Sequence, residues 1–328
     1  MNDLTAQEAR PDRVLVVASI AYLGPAGTFT EGALLQMTDA GMVPQRGGGD
    51  WQPLPVDSTT AALDAVRDGA AEFACVPIEN SIDGSIMPTL DSLAIGTPLQ
   101  VFAELTLDVA FSIAVKPGRT AAEVRTLAAF PVAAAQVRRW LAAHLPAAEL
   151  HPAISNADAA QQVADGLVDA AVSSPLAVTH RGLSTLAEGV VDEANARTRF
   201  VLVGRPGPPP ARTGADRTSV VLRIDNAPGA LVSTLAEFGM RGIDLTRIES
   251  RPTRTELGTY VFFLDCVGHI DDDAVAEALK ALHQRCTDVR YLGSWPTGAV
   301  AGAPPPSSDD AAVWLAGLRG DSADRSAR

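Results

Sequence analysis

The sequence predicts an α/β protein made of two strand-and-helix units followed by a separate, smaller module. Three observations carry this prediction. Short apolar runs alternate with helix-like segments from Val14 to Gly204, which implies strands packed under covering helices. Residues 205–217, RPGPPPARTGADR, interrupt that pattern with a Pro/Gly-rich linker. Beyond it the order strand, helix, strand, strand, helix, strand spells a ferredoxin-like split unit.

The first unit opens with VLVVASIAYL from Val14, read as a buried strand. Acids precede it (Asp3, Glu8, Asp12) and a Gly loop follows directly, which argues against a signal peptide. GPAGTFT is a turn, and Glu31 to Thr38 is a helix with Thr30 as its N-cap. DSTTAALDAVRDG begins a second helix, capped by Ser58 or Thr59 and stopped at Gly69. AEFACVPI is a strand, ENSIDGS a polar loop, and IMPTLDSL a third helix.

The second unit runs from about Val101 to Glu188. LTLDVAFSIAV reads as one long strand, and PVAAAQVRRWLAAHL as one amphipathic helix with Arg138 and Arg139 on its polar side. ELHPAIS and DAAVSS are short strands that enter helices through Ser155-Asn156 and Ser173-Ser174. The late strand TRFVLVG, residues 198–204, either extends this unit or returns to the first one.

In the last module TSVVLRID, IDLTRIES, GTYVFFLDCVG and DVRYLGSW are strands. PGALVSTLAEFGMRG and DDDAVAEALKALHQRC are helices, the first opened by Pro228 and Gly229, where a Pro loses no hydrogen bond. After Pro296 the composition predicts disorder to residue 328, with a short helical turn around Trp314.

Composition limits the function classes. A length of 328 residues suits two domains, or one larger domain and a small one. The 47% hydrophobic and 20% charged content is that of a soluble globular chain. A net charge of −13 argues against a nucleic-acid surface. An anionic ligand must therefore be captured by local Arg groups and helix N-termini. Cys75, Cys266 and Cys286 are too scattered for a disulfide framework or a zinc site, and the five histidines never fall in a ligand spacing, so no metal is expected. No apolar run reaches membrane-spanning length, and a cytoplasmic location is expected.

Three polar, Gly-containing stretches sit at strand-to-helix turns: Gly24 to Thr30, Asp57 to Thr60 and Glu79 to Ser85. In an open parallel sheet such turns gather at the carboxyl ends of the strands, where ligands bind. Each alone reads equally as a helix cap. Three together, with Thr198-Arg199-Phe200 entering nearby, point to an anion-binding cleft. Glu79 is either a carboxylate acting on a ligand or an acid that completes its loop. By local propensity alone the TRF tripeptide is a strand edge.

As a set, YLGPAGTFTEGAL, VPIENSIDGSIMPTLDSL and TRFVLVG, followed by NAPGALV and IESRP, resemble monofunctional prephenate dehydratase with a C-terminal ACT regulatory domain. The resemblance covers residues 14–297. It implies a two-lobed periplasmic-binding-protein-like (type 2) catalytic region plus a ferredoxin-like ACT domain, with the TRF strand returning to the first lobe. The implied division is a catalytic domain at 14–204, a linker at 205–217, the ACT domain at 218–297 and a tail at 298–328. Lobe 1 would take about 14–100 plus 190–204, and lobe 2 about 101–189. Only about 13 residues precede the first strand, so no fused chorismate mutase domain is expected.

The implied reaction is loss of water and carbon dioxide from prephenate to give phenylpyruvate in phenylalanine biosynthesis. Aromatisation of the ring drives it, so no cofactor is expected. Thr198 is implied as the residue that hydrogen-bonds the departing hydroxyl. A Thr hydroxyl is a poor acid near neutral pH, so a positioned donor fits better than full proton transfer. Arg199 suits a substrate carboxylate through its planar fork, with a structural ion pair as the equal alternative. Phe200 belongs to the core. Thr28, Ser58, Glu79, Asn80, Ser81, Asp83 and Gly84 are implied at the substrate. Asn226, Ala227, Pro228, Gly229, Ala230 and Leu231, with Glu249, Ser250, Arg251 and Pro252 from a paired subunit, are implied at the effector phenylalanine, in a homodimer or homotetramer. Two positions depart from the family pattern: Ala129-Phe130-Pro131-Val132 stands where Ser-His-Pro-Gln is common, and Arg181 where an aromatic is usual. Dehydration of arogenate and a non-catalytic two-lobed sensor are the rival readings.

Overall fold

The computed structural model describes residues 19–44, 51–193, 195–253, 258–298, 302–307 and 309–319. The first half of the predicted opening strand, residues 14–18, lies outside them. The chain begins β1 (Ser19–Leu23), α1 (Phe29–Asp39), β2 (Gln52–Val56), α2 (Thr59–Arg67), β3 (Phe73–Asn80), β4 (Gly84–Ser85), α3 (Met87–Ala94) and β5 (Gln100–Asp108). These strands and the late β11 (Arg197–Gly204) form one sheet in the order β2-β1-β3-β11-β5, with β4 folded back on β3. β1 pairs in parallel with β2 and β3, whereas β11 runs antiparallel to both its neighbours. The TRF strand thus returns to the first lobe.

Between β5 and β11 the chain builds the second lobe: β6 (Phe111–Val115), β7 (Thr126–Ala129), α4 (Pro131–Gln136), α5 (Arg138–His144), β8 (Glu149–Pro152), α6 (Asn156–Asp165), β9 (Ala170–Ser173), α7 (Pro175–His180) and β10 (Ser184–Val190). Its sheet runs β10-β6-β9-β7-β8. LTLDVAFSIAV is not one strand: it breaks at Val109-Ala110, with β5 pairing β11 in the first lobe and β6 pairing β9 in the second. The lobe boundary therefore lies there, and not near residue 100. The predicted long helix breaks at Val137 (φ −124°, ψ 11°), where a fully buried side chain anchors the bend between α4 and α5.

The small domain contains β12 (Asp216–Arg223), α8 (Ala230–Gly239), β13 (Leu245–Pro252), β14 (Tyr260–Val267), α9 (Asp273–Arg285) and β15 (Asp288–Pro296), with an antiparallel sheet β13-β14-β12-β15. One sheet face packs on α8 and α9 through Val220, Leu222, Phe238, Leu264 and Leu282. The other face joins a first-lobe cluster, in which Val221, Phe263, Leu292 and Trp295 meet Leu90, Leu93, Leu99 and Val101. Each such side chain contributes about 1.5–3 kcal/mol when fully buried, so the two domains share one core at this boundary. A further helix, α10 (Asp309–Arg319), runs longer than the single turn expected around Trp314.

The caps explain the start of each site helix. Thr28, not Thr30, caps α1: its Oγ1 accepts from the Glu31 N–H at 3.3 Å, and Thr30 is buried within the first turn. Ser58 caps α2 by accepting from the Ala61 N–H at 3.0 Å.

Candidate active site and effector site

Because β1, β2 and β3 are parallel, their carboxyl ends share one edge of the sheet, and antiparallel β11 starts at that same edge. Ser58, Thr28, Asn80 and Thr198 follow one another along it, on strands spaced about 4.8 Å apart. Thr198 pairs with Asn80 in register, is 8% exposed, and its Oγ1 accepts from Asn80 Nδ2 at 2.9 Å. The Asn80 carboxamide is held by its other end, since Oδ1 accepts from the N–H groups of Ile82 at 2.8 Å and Asp83 at 3.0 Å. With the amide fixed, Thr198 oxygen is an acceptor toward Asn80 and its own proton is left for a ligand.

The neighbouring residues divide between ligand and scaffold. Ser81 Oγ donates to Asn195 O at 3.0 Å and accepts from Arg197 N–H at 2.8 Å, so it ties the loop to the start of β11. Thr28 gives its one proton to Leu23 O at 3.0 Å, which leaves it only acceptor capacity. Asp83 is exposed, and Gly84 turns the loop at φ +80°. Glu79 is half exposed and lies 3.0 Å from Arg199 Nη2.

Arg199 has two roles open to it, a substrate carboxylate or a structural ion pair. Strand alternation points it away from Thr198. Its guanidinium meets Glu79 and Asp265 at 3.0 Å each and Glu104 at 3.3 Å. Burial works against the charge, but Asp265, Glu104 and Glu79 outweigh it and raise the pKa further. Asp265 belongs to the small domain, and Glu104 also accepts from Arg217 Nε at 3.0 Å and Trp295 Nε1 at 2.9 Å. Of the two roles open to Arg199, this geometry favours the structural ion pair. Phe200 is 2% exposed and packs in the core, as expected.

The lobes touch where Ser174 Oγ donates to Gly27 O and the rings of Phe29 and Phe111 meet edge-on at 5.6 Å. Gly27 has φ +94°, and a Cβ there would stand 2.9 Å from Ala177. A cavity of about 640 Å³ opens at the loop after Asn80, lined by Ile82, Asp83, Gln136, Arg138, Val191 and Ala196 among others. Gln136 was missed in the sequence, which gave no signal for it. Its Oε1 is buried with no hydrogen-bond partner, an arrangement suited to receiving a donor. Cys75 and Cys266 are pushed up to about 12 by burial, so neither is a thiolate nucleophile. Among the described residues no acid, His and Cys cluster could hold a metal, and no helix is long and apolar enough to cross a membrane.

In the small domain, Asn226, Ala227, Ala230 and Leu231 line a cavity of about 280 Å³, together with Tyr260 and Phe262. That volume falls just below the range of drug-sized ligand clefts, which starts at about 300 Å³, and suits one small molecule. Gly229 starts α8 at φ +80°. Glu249, Ser250, Arg251 and Pro252, expected at the effector from a paired subunit, do not line the cavity of their own chain. The Glu249 and Arg251 side chains instead engage Ser85 and Asp91 of the first lobe, while Ser250 and Pro252 are exposed.

Two α/β lobes joined by a returning strand, with a polar catalytic-type edge and a docked βαββαβ module, define a two-lobed small-molecule enzyme fold with an appended ligand-sensing domain. A prephenate dehydratase family profile matches residues 20–208, and an ACT domain profile matches residues 218–284. The prephenate dehydratase of Mycobacterium tuberculosis is 78% identical over 300 residues, covering 92% of this chain and 94% of that one. The crystal structure of prephenate dehydratase in complex with L-Phe from Arthrobacter aurescens is 40% identical, with a TM-score of 0.81 over 93% of this chain and 99% of that one. A structure described as GqqA, a quorum quenching acylase, is 29% identical, with a TM-score of 0.73 over 85% of this chain and 98% of that one. The chain belongs to the prephenate dehydratase family and is a lyase of the hydro-lyase type.

Proposed function

We propose that the protein converts prephenate to phenylpyruvate and that phenylalanine, the downstream amino acid, binds its ACT domain and lowers that activity. The observation that carries the catalytic half is Thr198 Oγ1 held as an acceptor by the locked Asn80 amide, which directs its proton outward. In the reaction the ring carboxylate leaves as carbon dioxide, and its bonding pair enters the ring. The ring carbon opposite loses its hydroxyl, which takes up one proton from solvent and leaves as water. Thr198 donates a hydrogen bond to that departing oxygen as charge develops on it, a contribution that grows toward the transition state. Proton transfer from Thr198 itself is not required. The N–H groups at the starts of α1 and α2 suit one carboxylate of the substrate, and Arg138, which lines the cavity with Ile82 and Asp83, suits the other.

Residues 19–204 act as the catalytic region and 218–296 as the regulatory one, divided between lobes at Val109-Ala110. Strand β13 is an edge of the small sheet, and pairing of two copies there would bring Ser250 and Pro252 of one copy toward the effector cavity of the other. The protein works in the cytoplasm as such a homo-oligomer. The test is Thr198→Ala: the variant is expected to bind prephenate near the parent affinity while forming phenylpyruvate about 10²–10³-fold more slowly, the range for loss of one transition-state donor. Unchanged turnover would remove Thr198 from the mechanism.

A further inference from the structure

One face of β13 holds the hairpin that carries Asn80. Along this strand Arg247, Glu249 and Arg251 are partly buried toward the first lobe, and Ile248, Ser250 and Pro252 are exposed. Arg247 Nη2 donates to Ser85 Oγ at 3.0 Å, and Ser85 Oγ donates in turn to Glu249 Oε2 at 3.1 Å. Ser85 lies on β4, which pairs Glu79 with Ser85 and Asn80 with Gly84. Ser85 is therefore the far side of a hairpin whose near side is Asn80, the partner of Thr198. A second tie reaches the same place from the small domain, because Asp265 binds Arg199, which binds Glu79.

Arg247 also faces a second acceptor. Its side chain is 8% exposed and its Nη1 is buried with no hydrogen-bond partner, yet Asp265 Oδ2 stands only 3.9 Å away. A shift of about 1 Å would close that bond. An Arg engaged with Ser85 through Nη2, with a buried carboxylate just beyond hydrogen-bond reach of Nη1, has a second arrangement one small shift away, the kind of element that coupling requires. The effector cavity touches the same element: Tyr260 and Phe262 line it, and they pair with Pro252 and Ser250 of β13.

We propose that the Arg247–Ser85–Glu249 clamp is the link by which the small domain positions Asn80 and Thr198, and that a ligand in the cavity at residues 226–231 lowers turnover by moving β13 and releasing this clamp. Ser85, Arg247 and Glu249 are thus positioning residues for the reaction. The proposal rests on the dehydratase reading for its activity readout, and on phenylalanine as the probe ligand.

The experiment compares the full chain with Ser85→Ala and Ser85→Thr. Hydrogen exchange is followed at the Ile82, Asp83 and Ile86 amides with and without L-phenylalanine, alongside calorimetry of phenylalanine and steady-state kinetics. In the parent, phenylalanine is expected to change loop exchange by about fivefold or more, as for a coupling of ordinary size. In Ser85→Ala that change falls below about twofold and inhibition weakens by about tenfold, while phenylalanine binding stays within about threefold. Ser85→Thr keeps the hydroxyl and restores the coupling. A Ser85→Ala protein that is inhibited, and whose loop responds, as in the parent overturns the proposal. So does loss of phenylalanine binding in that variant, which would place Ser85 in the effector site. A parent whose loop responds to phenylalanine but which forms no phenylpyruvate contradicts the proposed reaction and leaves the link standing.

Discussion

Arg199 Nη2 and Asp265 Oδ2 meet at 3.0 Å across the boundary between the two-lobed region and the small domain, with both side chains almost wholly buried. The residue beside Thr198 is thereby anchored in the domain that carries the effector cavity. Asp265 also accepts from Ser219 Oγ at 2.7 Å. Removing one member of such a buried network leaves the rest uncompensated, at a cost of about 3–5 kcal/mol. Asp265→Ala is expected to lower thermal stability by that order, read as the loss in unfolding free energy by denaturant titration. A loss under about 1 kcal/mol would mean that the interface is held by its apolar core alone.

The same pair sets an acid limit. Burial alone would raise the Asp265 pKa, but Arg199, Arg247 and Arg217 outweigh it and hold the carboxyl below its ordinary range. A group with a depressed folded pKa stabilises the fold fully above its unfolded value of about 3.9 and loses that contribution as pH falls through the lower folded value. Stability from this interface is therefore expected to be flat between about pH 5 and 8 and to fall only below about pH 4. Unfolding midpoints measured across that range check it. A step near pH 6 would point to a histidine instead.

Asn80 orients a hydroxyl, and its replacement tests that orientation. In Asn80→Asp a carboxylate would face Thr198 Oγ1, so the Thr proton would turn toward Asp and away from the substrate. The expected result is a fall in kcat of about 10²-fold or more, the size of a lost transition-state donor, with KM changed much less. An equal loss in KM alone would make Asn80 a simple binding residue.

Gly27 seals the contact between lobes. An Ala there would need a left-handed backbone and would drive Cβ to 2.9 Å from Ala177. Gly27→Ala is expected to cost about 1–3 kcal/mol of stability and to loosen the approach of the two lobes, seen as a raised KM for prephenate.

Much of this arrangement was legible in the sequence, for identifiable reasons. The βαββαβ module and the strand-to-helix turns were visible because caps, Pro228-Gly229 and apolar periodicity are local signals. The break of LTLDVAFSIAV at Val109-Ala110 was not, because both halves are equally apolar and only sheet partnering separates β5 from β6. The bend at Val137 likewise depends on what packs around a buried Val. At the site, Thr198 and Asn80 were placed by motif and their register pairing agrees with proximity. The direction of Arg199 was not legible, because its partners Glu104 and Asp265 are 95 and 66 residues away in the chain. Glu249 and Arg251 are expected at the effector of a paired subunit, and nothing local in the sequence announces that within one chain their side chains meet Ser85 and Asp91 of the first lobe.

This edge of the first lobe is expected to turn over prephenate under control of the small domain. The most direct measurement is phenylpyruvate formation from prephenate by the purified protein, with and without phenylalanine and with no added metal or cofactor. The expected result is turnover that phenylalanine suppresses and that Thr198→Ala slows about 10²–10³-fold. Folded protein that binds prephenate but forms no phenylpyruvate in either condition would contradict the account and leave a two-lobed sensor in its place.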